Sequence, residues 1–183
     1  MPKDLIEQDT MDPDTRVPFL RKPTAEDGAE IWNLVRKCGP LDENSMYCNL
    51  IQADHFRDTC VVAQLNGHIV GWISGHMIPG ASAFFVWQVA VSQEARGLGL
   101  GRKMLAHLVA RKECRDATHL KTTITKSNEA SWALFRSFAR SIGGELTDEP
   151  HFERELHFDG AAATEHMVTI TLPRSVTHLR AAA

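Results

Sequence analysis

Val89-Ala90-Val91 runs into Arg96-Gly97-Leu98-Gly99-Leu100-Gly101-Arg102, and this junction is where the chain could hold an anion. The apolar, β-branched run reads as a strand, and an apparent helix begins inside the glycines. A glycine turn at a helix N-terminus presents unpaired N–H groups and partial positive charge, and the missing side chains let a phosphate approach. A Walker loop would end in Gly-Lys-Ser/Thr, whereas Gly101 is followed by Arg102-Lys103. A dinucleotide fingerprint needs different glycine spacing and a place at the first strand of a βαβ unit. Two readings stand at this point: a phosphate cradle of another kind, or glycines that simply permit a tight strand-to-helix turn.

A second set of residues could handle a cation. From Glu145 to Glu165 there are seven acids against one base, Arg154. Carboxylates can grip an ammonium group through charge-assisted hydrogen bonds, but most of these are expected to be solvated surface groups. Glu165 stands apart because it opens a predicted strand beside His166. Trp87 and Tyr47 each have two readings, packed core or ligand contact; a tryptophan ring face would attract an ammonium. Cys38, Cys48, Cys60 and Cys114 form no C-x-x-C, and the nine histidines show no ligand spacing, so no metal is expected.

Positioning these residues requires a definite order of elements. Phe19–Lys22 is a predicted first strand. Thr24 caps a helix whose stripe is Ile31, Leu34, Val35 and Cys38. A second helix is predicted from Ser45 to His55, burying Tyr47, Leu50 and Ile51. Thr59–Leu65 and His68–Met77 flank Asn66-Gly67, a type I′ hairpin signal. Phe84–Val91 reads as a central strand buried on both faces. A helix follows through Met104, Leu105, Leu108 and Val109. His119–Thr125 alternates as a strand, and a helix over Glu129–Ile142 stops at Gly143-Gly144. Two last strands are predicted near Phe152–Phe158 and His166–Leu172. This order predicts one α/β domain around a mixed sheet.

The bulk numbers agree. The 183 residues are enough for one domain with a real core, and 43% are hydrophobic. A net charge of −3 argues against a nucleic-acid partner. No apolar run is long enough for a membrane span. The polar stretch before Phe19 has no signal-peptide pattern, so residues 1–18 are expected to be a loose tail, 19–173 the domain and 174–183 a second tail. Free thiols without a signal peptide suggest the cytoplasm.

The pattern Arg96-x-x-Gly99-x-Gly101 after Val89-Ala90-Val91, with Asn128 opening the next helix, resembles the GNAT N-acetyltransferases. The element order matches that fold from about Phe19 to Leu172. The resemblance implies a mostly antiparallel sheet of about seven strands, splayed at the middle and flanked by about four helices. It implies acetyl-CoA as cosubstrate, with Gln88, Val89, Ala90 and Val91 along the pantetheine arm. Arg96, Gly97, Leu98, Gly99, Leu100, Gly101 and Arg102 would hold the pyrophosphate, and Asn128, Ser131 and Phe135 would meet the arm from the next helix. Leu41–Tyr47, Asp58–Ala63, Phe85–Val91 and Thr122–Ile124 narrow the likeness. These segments resemble the L-2,4-diaminobutyrate acetyltransferases of ectoine biosynthesis, as do Arg21–Gly28 and Asn128-x-x-Ser131-x-x-Leu134-Phe135. That resemblance implies acetylation of the γ-amine of L-2,4-diaminobutyrate by a homodimer in the cytoplasm. Asp42, Asn44, Ser45, Tyr47, Trp87 and Glu165 are then the candidate acceptor contacts.

The chemistry is attack of an amine on a thioester. An alkyl ammonium has a pKa of roughly 10.4 and must lose a proton first. Glu165, directly or through water, is the candidate base, with His166 as the alternative. The Val89 N–H is the candidate oxyanion donor. Many GNAT enzymes carry a tyrosine acid seven residues after the asparagine. Here that position is Phe135, so a tyrosine acid could only be Tyr47, the single tyrosine of the chain. An acetyltransferase for another small amine, or a non-catalytic acetyl-CoA-binding module, fits the same residues.

Overall fold

In the computed structural model, residues 17–39 and 43–173 are described. Asp42, residues 1–16 and the stretch 174–183 therefore lie outside the described residues.

Seven strands form one sheet in the order β1-β2-β3-β4-β5-β7-β6. They are β1 (Phe19–Arg21), β2 (Val61–Leu65), β3 (His68–Met77), β4 (Ala83–Val91), β5 (His119–Thr125), β6 (Leu146–Phe152) and β7 (Glu165–Thr171). Only the β4–β5 pairing is parallel. The helices are α1 (Gly28–Lys37), α2 (Met46–Asp54), α3 (Leu100–Val109), α4 (Glu129–Ile142) and the short α5 (Arg154–His157). The mixed, mostly antiparallel sheet matches the expected fold.

Local chemistry explains the boundaries. Asn66 and Gly67 both have positive φ, 51° and 82°, as a type I′ turn between β2 and β3 requires. Ser45 caps α2, its hydroxyl accepting from the Cys48 N–H at 3.1 Å. Gly143 ends α4 in the left-handed region, closing its last turn. Arg21 grips Asp27 through two bonds of 2.7 and 2.8 Å, fastening β1 to the turn before α1.

The sheet has a core on each face. One holds Phe84, Val86, Met104, Leu105, Leu108, Phe135 and Phe138, between the sheet and α3 and α4. Burying each of the larger side chains contributes about 1.5–3 kcal/mol. The other holds Ile31, Val35, Ala53, Trp72 and Ala90, under α1 and α2.

Three expectations need correction. The face that α2 turns inward is Asn49, Gln52 and Ala53, not Tyr47, Leu50 and Ile51. Leu50 instead packs beside Gly28 at the start of α1, where any Cβ added at the glycine would clash with it. Phe152–Phe158 is not a strand: β6 ends at Phe152 and α5 follows, because Gly143-Gly144 leads directly into the sheet edge. Finally, β4 is not buried on both faces, since Trp87 is 52% exposed and Val89 and Val91 are partly open.

Candidate functional site

The opening of β4 follows from its pairing. Against β3, Ser74 faces Gln88 and Gly75 faces Val86, so Trp87 is an extra residue without a partner, a β-bulge. Against β5, β4 pairs only through Ala83, Phe84 and Phe85. Beyond Phe85 the two strands part.

Alternation then decides which backbone groups are available. Ser92 N–H bonds to the Val70 carbonyl at 2.9 Å, so Ser92, Ala90 and Gln88 turn their backbone groups toward β3. Val91 and Val89 turn theirs toward the gap. The Val91 carbonyl shows this directly, accepting from Arg96 Nε at 3.1 Å and from the Cys38 thiol at 3.2 Å.

A groove of about 810 Å³ runs along this gap. Its walls are Val89 and Val91, the Arg96–Arg102 loop, and Asn128, Ser131 and Leu134 of the α4 side. Gly97 and Gly99 have φ of 77° and 69°, a conformation that any side chain would strain. Gly99 is the N-cap of α3, whose first turn carries no acid, so the helix end keeps its positive potential. A Cβ on Gly101 would lie 3.1 Å from Leu134 Cδ1, so this glycine permits the approach of α3 to α4.

At the Val89 end the groove meets a polar cleft of about 270 Å³. It is lined by Asn44, Trp87, Gln88, Val89, Thr122–Thr125, Asn128, Ser131, Phe135 and Glu165. Glu165 faces Thr125 on β5 and Phe152 on β6 in the antiparallel register. Asn128 Oδ1 accepts from the Ser131 N–H at 3.1 Å, capping α4, and the residue lines both the cleft and the groove.

This geometry sorts the candidates. Gln88, Val89, Val91, Arg96 to Arg102, Asn128, Ser131, Phe135, Asn44, Trp87 and Glu165 line the groove or the cleft. Ala90 does not: its backbone faces β3 and its methyl group is buried under α1. The Ser45 hydroxyl is committed to the α2 cap, and Ser45 lines neither wall. Tyr47 is 71% exposed on the first turn of α2 and also lines neither wall. His166 points to the opposite sheet face, where it is buried and bonded to Asp148 at 3.0 Å, so it cannot replace Glu165 at the cleft. Cys38, Ala95, Ala130, Ala133 and Ser137 line the groove without having been anticipated. Cys38 had carried only a helix-stripe signal, which says nothing about the strand carbonyl it meets.

Among the described residues no group of side chains could hold a metal ion, and no helix is long and apolar enough to cross a membrane. Phe135 is buried and offers no proton to the cleft.

The family model for the acetyltransferase (GNAT) family matches residues 28–139, which spans β2 to β5, the glycine loop and nearly all of α4. The chain belongs to the GNAT acetyltransferase family. Within this family it is 44% identical over 152 residues to the L-2,4-diaminobutyric acid acetyltransferase of Methylotuvimicrobium alcaliphilum, covering 82% of this chain and 88% of that one. It is also 44% identical over 157 residues to the Vibrio cholerae protein of the same name, covering 85% and 91%. Among solved structures it is similar to diaminobutyrate acetyltransferase EctA from Paenibacillus lautus, in complex with L-2,4-diaminobutyric acid and coenzyme A. The TM-score is 0.80 and the identity 36%, over 84% of this chain and 94% of that one. For a GNAT acetyltransferase, the residues of the groove suit acetyl-CoA: the strand groups that Val89 and Val91 turn toward the gap for the pantetheine amides, and the Gly97–Gly101 turn with Arg96 for the pyrophosphate.

Proposed function

We propose that this chain transfers the acetyl group of acetyl-CoA to the γ-amine of L-2,4-diaminobutyrate, giving N4-acetyl-L-2,4-diaminobutyrate and coenzyme A. The observation that carries this reading is the junction at Val89, where a groove suited to coenzyme A opens into a cleft holding Glu165 and Trp87. The likeness to enzymes named for this acceptor supports it.

Each residue then has a task. Glu165 is the one carboxylate among the described residues lining the cleft. It attracts the ammonium and takes its proton, directly or through a water. Trp87 offers a ring face to the same charge. The freed amine forms its bond to the thioester carbon while the carbonyl oxygen gains charge against the Val89 N–H. The carbon–sulfur bond then breaks, its electron pair leaving with the sulfur, and the new amide nitrogen gives up its second proton to water. Phe135 donates nothing to the leaving thiolate, which departs unassisted because a thiol is far more acidic than an alkyl ammonium. Asp42, Asn44 and Tyr47 are proposed acceptor contacts, Asn44 from its place on the cleft wall and the other two from the family motif they belong to.

The reading extends to a homodimer acting in the cytoplasm and supplying the precursor of ectoine, a compatible solute used under osmotic stress. The test is thiol release from acetyl-CoA with diaminobutyrate, ornithine, lysine and spermidine, with the acetylated nitrogen located by NMR. Diaminobutyrate acetylated at the γ-nitrogen as the best substrate is the expected result. A better rate with another amine would overturn the acceptor assignment and leave the GNAT chemistry intact.

A further inference from the structure

Trp87 does not stand alone. His76, near the end of β3, meets its ring edge to face, with centroids 6.4 Å apart and planes at 75°. The same imidazole lies 5.5 Å from Phe85 and 6.2 Å from Phe56, just past α2. Four rings from three segments thus form one cluster, although Trp87 and Phe56 are both substantially exposed. His76 does not line the cleft; Trp87 does. An indole on a bulge has no strand partner to fix its backbone, so its orientation depends on side-chain packing. His76 supplies the central contact of that packing.

We propose that His76 is a positioning residue for acceptor specificity: as a neutral ring it holds the Trp87 indole against the amine cleft and keeps positive charge away from that wall. The proposal rests on the acceptor reading above. A protonated imidazole would compete for the ring faces that attract the substrate ammonium and would repel that ammonium. Burial lowers the His76 pKa below the ordinary histidine value, which keeps the ring neutral around neutral pH. Among the described residues, no fixed charge lies directly against it. β4 contributes Phe85 and Trp87. The segment after α2 contributes Phe56, flanked by His55, which meets Asp54, and by Arg57 and then Asp58, which is paired with Lys22. On the β2 side, Cys60 meets the neighbouring Gly75 carbonyl, and burial holds its pKa at about 12, so it stays a neutral thiol.

The experiment compares wild type, His76→Ala and His76→Phe for the KM of diaminobutyrate and of acetyl-CoA. His76→Ala is expected to raise the amine KM about three- to ten-fold, the scale of a lost aromatic contact, with the acetyl-CoA KM within about two-fold. His76→Phe is expected to restore the amine KM near pH 8, since it keeps a ring. As the pH falls below the ordinary histidine range, the amine KM of wild type should rise more steeply than that of His76→Phe, because only wild type gains a charge at this position. An unchanged amine KM in His76→Ala, an equal rise in both KM values, or parallel pH responses would each overturn the proposal. If wild type prefers another small amine, the same comparison with that amine decides the matter, since the argument concerns its ammonium. A wild type that acetylates no amine overturns both this inference and the acceptor reading.

Discussion

Glu165 and His166 are adjacent in the chain and serve opposite faces of the sheet. Glu165 lines the amine cleft, whereas His166 is 5% exposed and bonded to Asp148 on the edge strand β6. Strand alternation therefore divides two candidate bases into one that can meet substrate and one that holds the sheet edge.

Glu165→Gln keeps the shape of the cleft and removes the proton acceptor. Its kcat is expected to fall about 10²- to 10⁴-fold, the usual range for a lost general base. Its acetyl-CoA dissociation constant should be unchanged in a calorimetric titration. His166→Gln should keep most of its kcat while unfolding at lower denaturant, because the part-buried bond to Asp148 is weakened. The reverse pattern would assign the proton transfer elsewhere.

Arg96→Ala removes a charge from the phosphate loop and a donor from the Val91 carbonyl. The acetyl-CoA KM is expected to rise about ten-fold or more, since hydrogen bonds to charged groups contribute about 1.5–3 kcal/mol. The amine KM should move little. Steady-state kinetics with each substrate varied in turn separates the two.

Acetyl-CoA is expected to raise the melting temperature. A cosubstrate bound at a hundred times its dissociation constant adds about 2.7 kcal/mol. For a chain of this size that is about 5–10 °C in a fluorescence melt. Arg96→Ala should need a higher concentration for the same shift.

Burial pushes the Cys60 and Cys114 thiols up to about 12. Near pH 8 only about one in 10⁴ of each is thiolate, the form that reacts. Iodoacetamide is expected to leave both unlabelled in the native protein and to modify them after unfolding, as mass spectrometry of peptides would show. A thiol-release assay at that pH should accordingly draw no background from these two residues.

Tyr47→Phe tests the remaining tyrosine. With the phenol exposed on α2 and off the cleft wall, kcat is expected to stay within about ten-fold, the loss falling mainly on the amine KM. A much larger fall in kcat alone would make the phenol the missing acid.

Elements with strong periodicity or special turn chemistry were legible in the sequence. The Asn66-Gly67 hairpin, the stripe of α1, the glycine-capped end of α4 and the phosphate loop all follow from local rules. The inward face of α2 is hidden from a hydrophobic pattern because it carries Asn49 and Gln52, 0% and 3% exposed. Their Asn49 Oδ1 and Gln52 Nε2 atoms have no protein partner, unlike most buried polar groups. In the sequence Trp87 fits core and ligand equally, because a bulge depends on two strands together, and one strand read alone cannot show it. Cys38 ends a helical stripe in the sequence, yet its thiol meets a strand carbonyl 53 positions away.

The bulge also makes the site a matter of counting. One extra residue shifts the phase of β4 by half a pleat, so residues on either side of Trp87 follow different parity rules. Substituting the indole would change a wall. Deleting the position would leave Val86 and Gln88 adjacent opposite Gly75 and Ser74, a regular ladder in which Gln88 and Ala90 still pair with β3 and Val89 and Val91 still face the gap. What the bulge adds is therefore the outward indole and the local bend, while the direction of the Val89 and Val91 backbone groups is set by their register against Ile73 and Gly71.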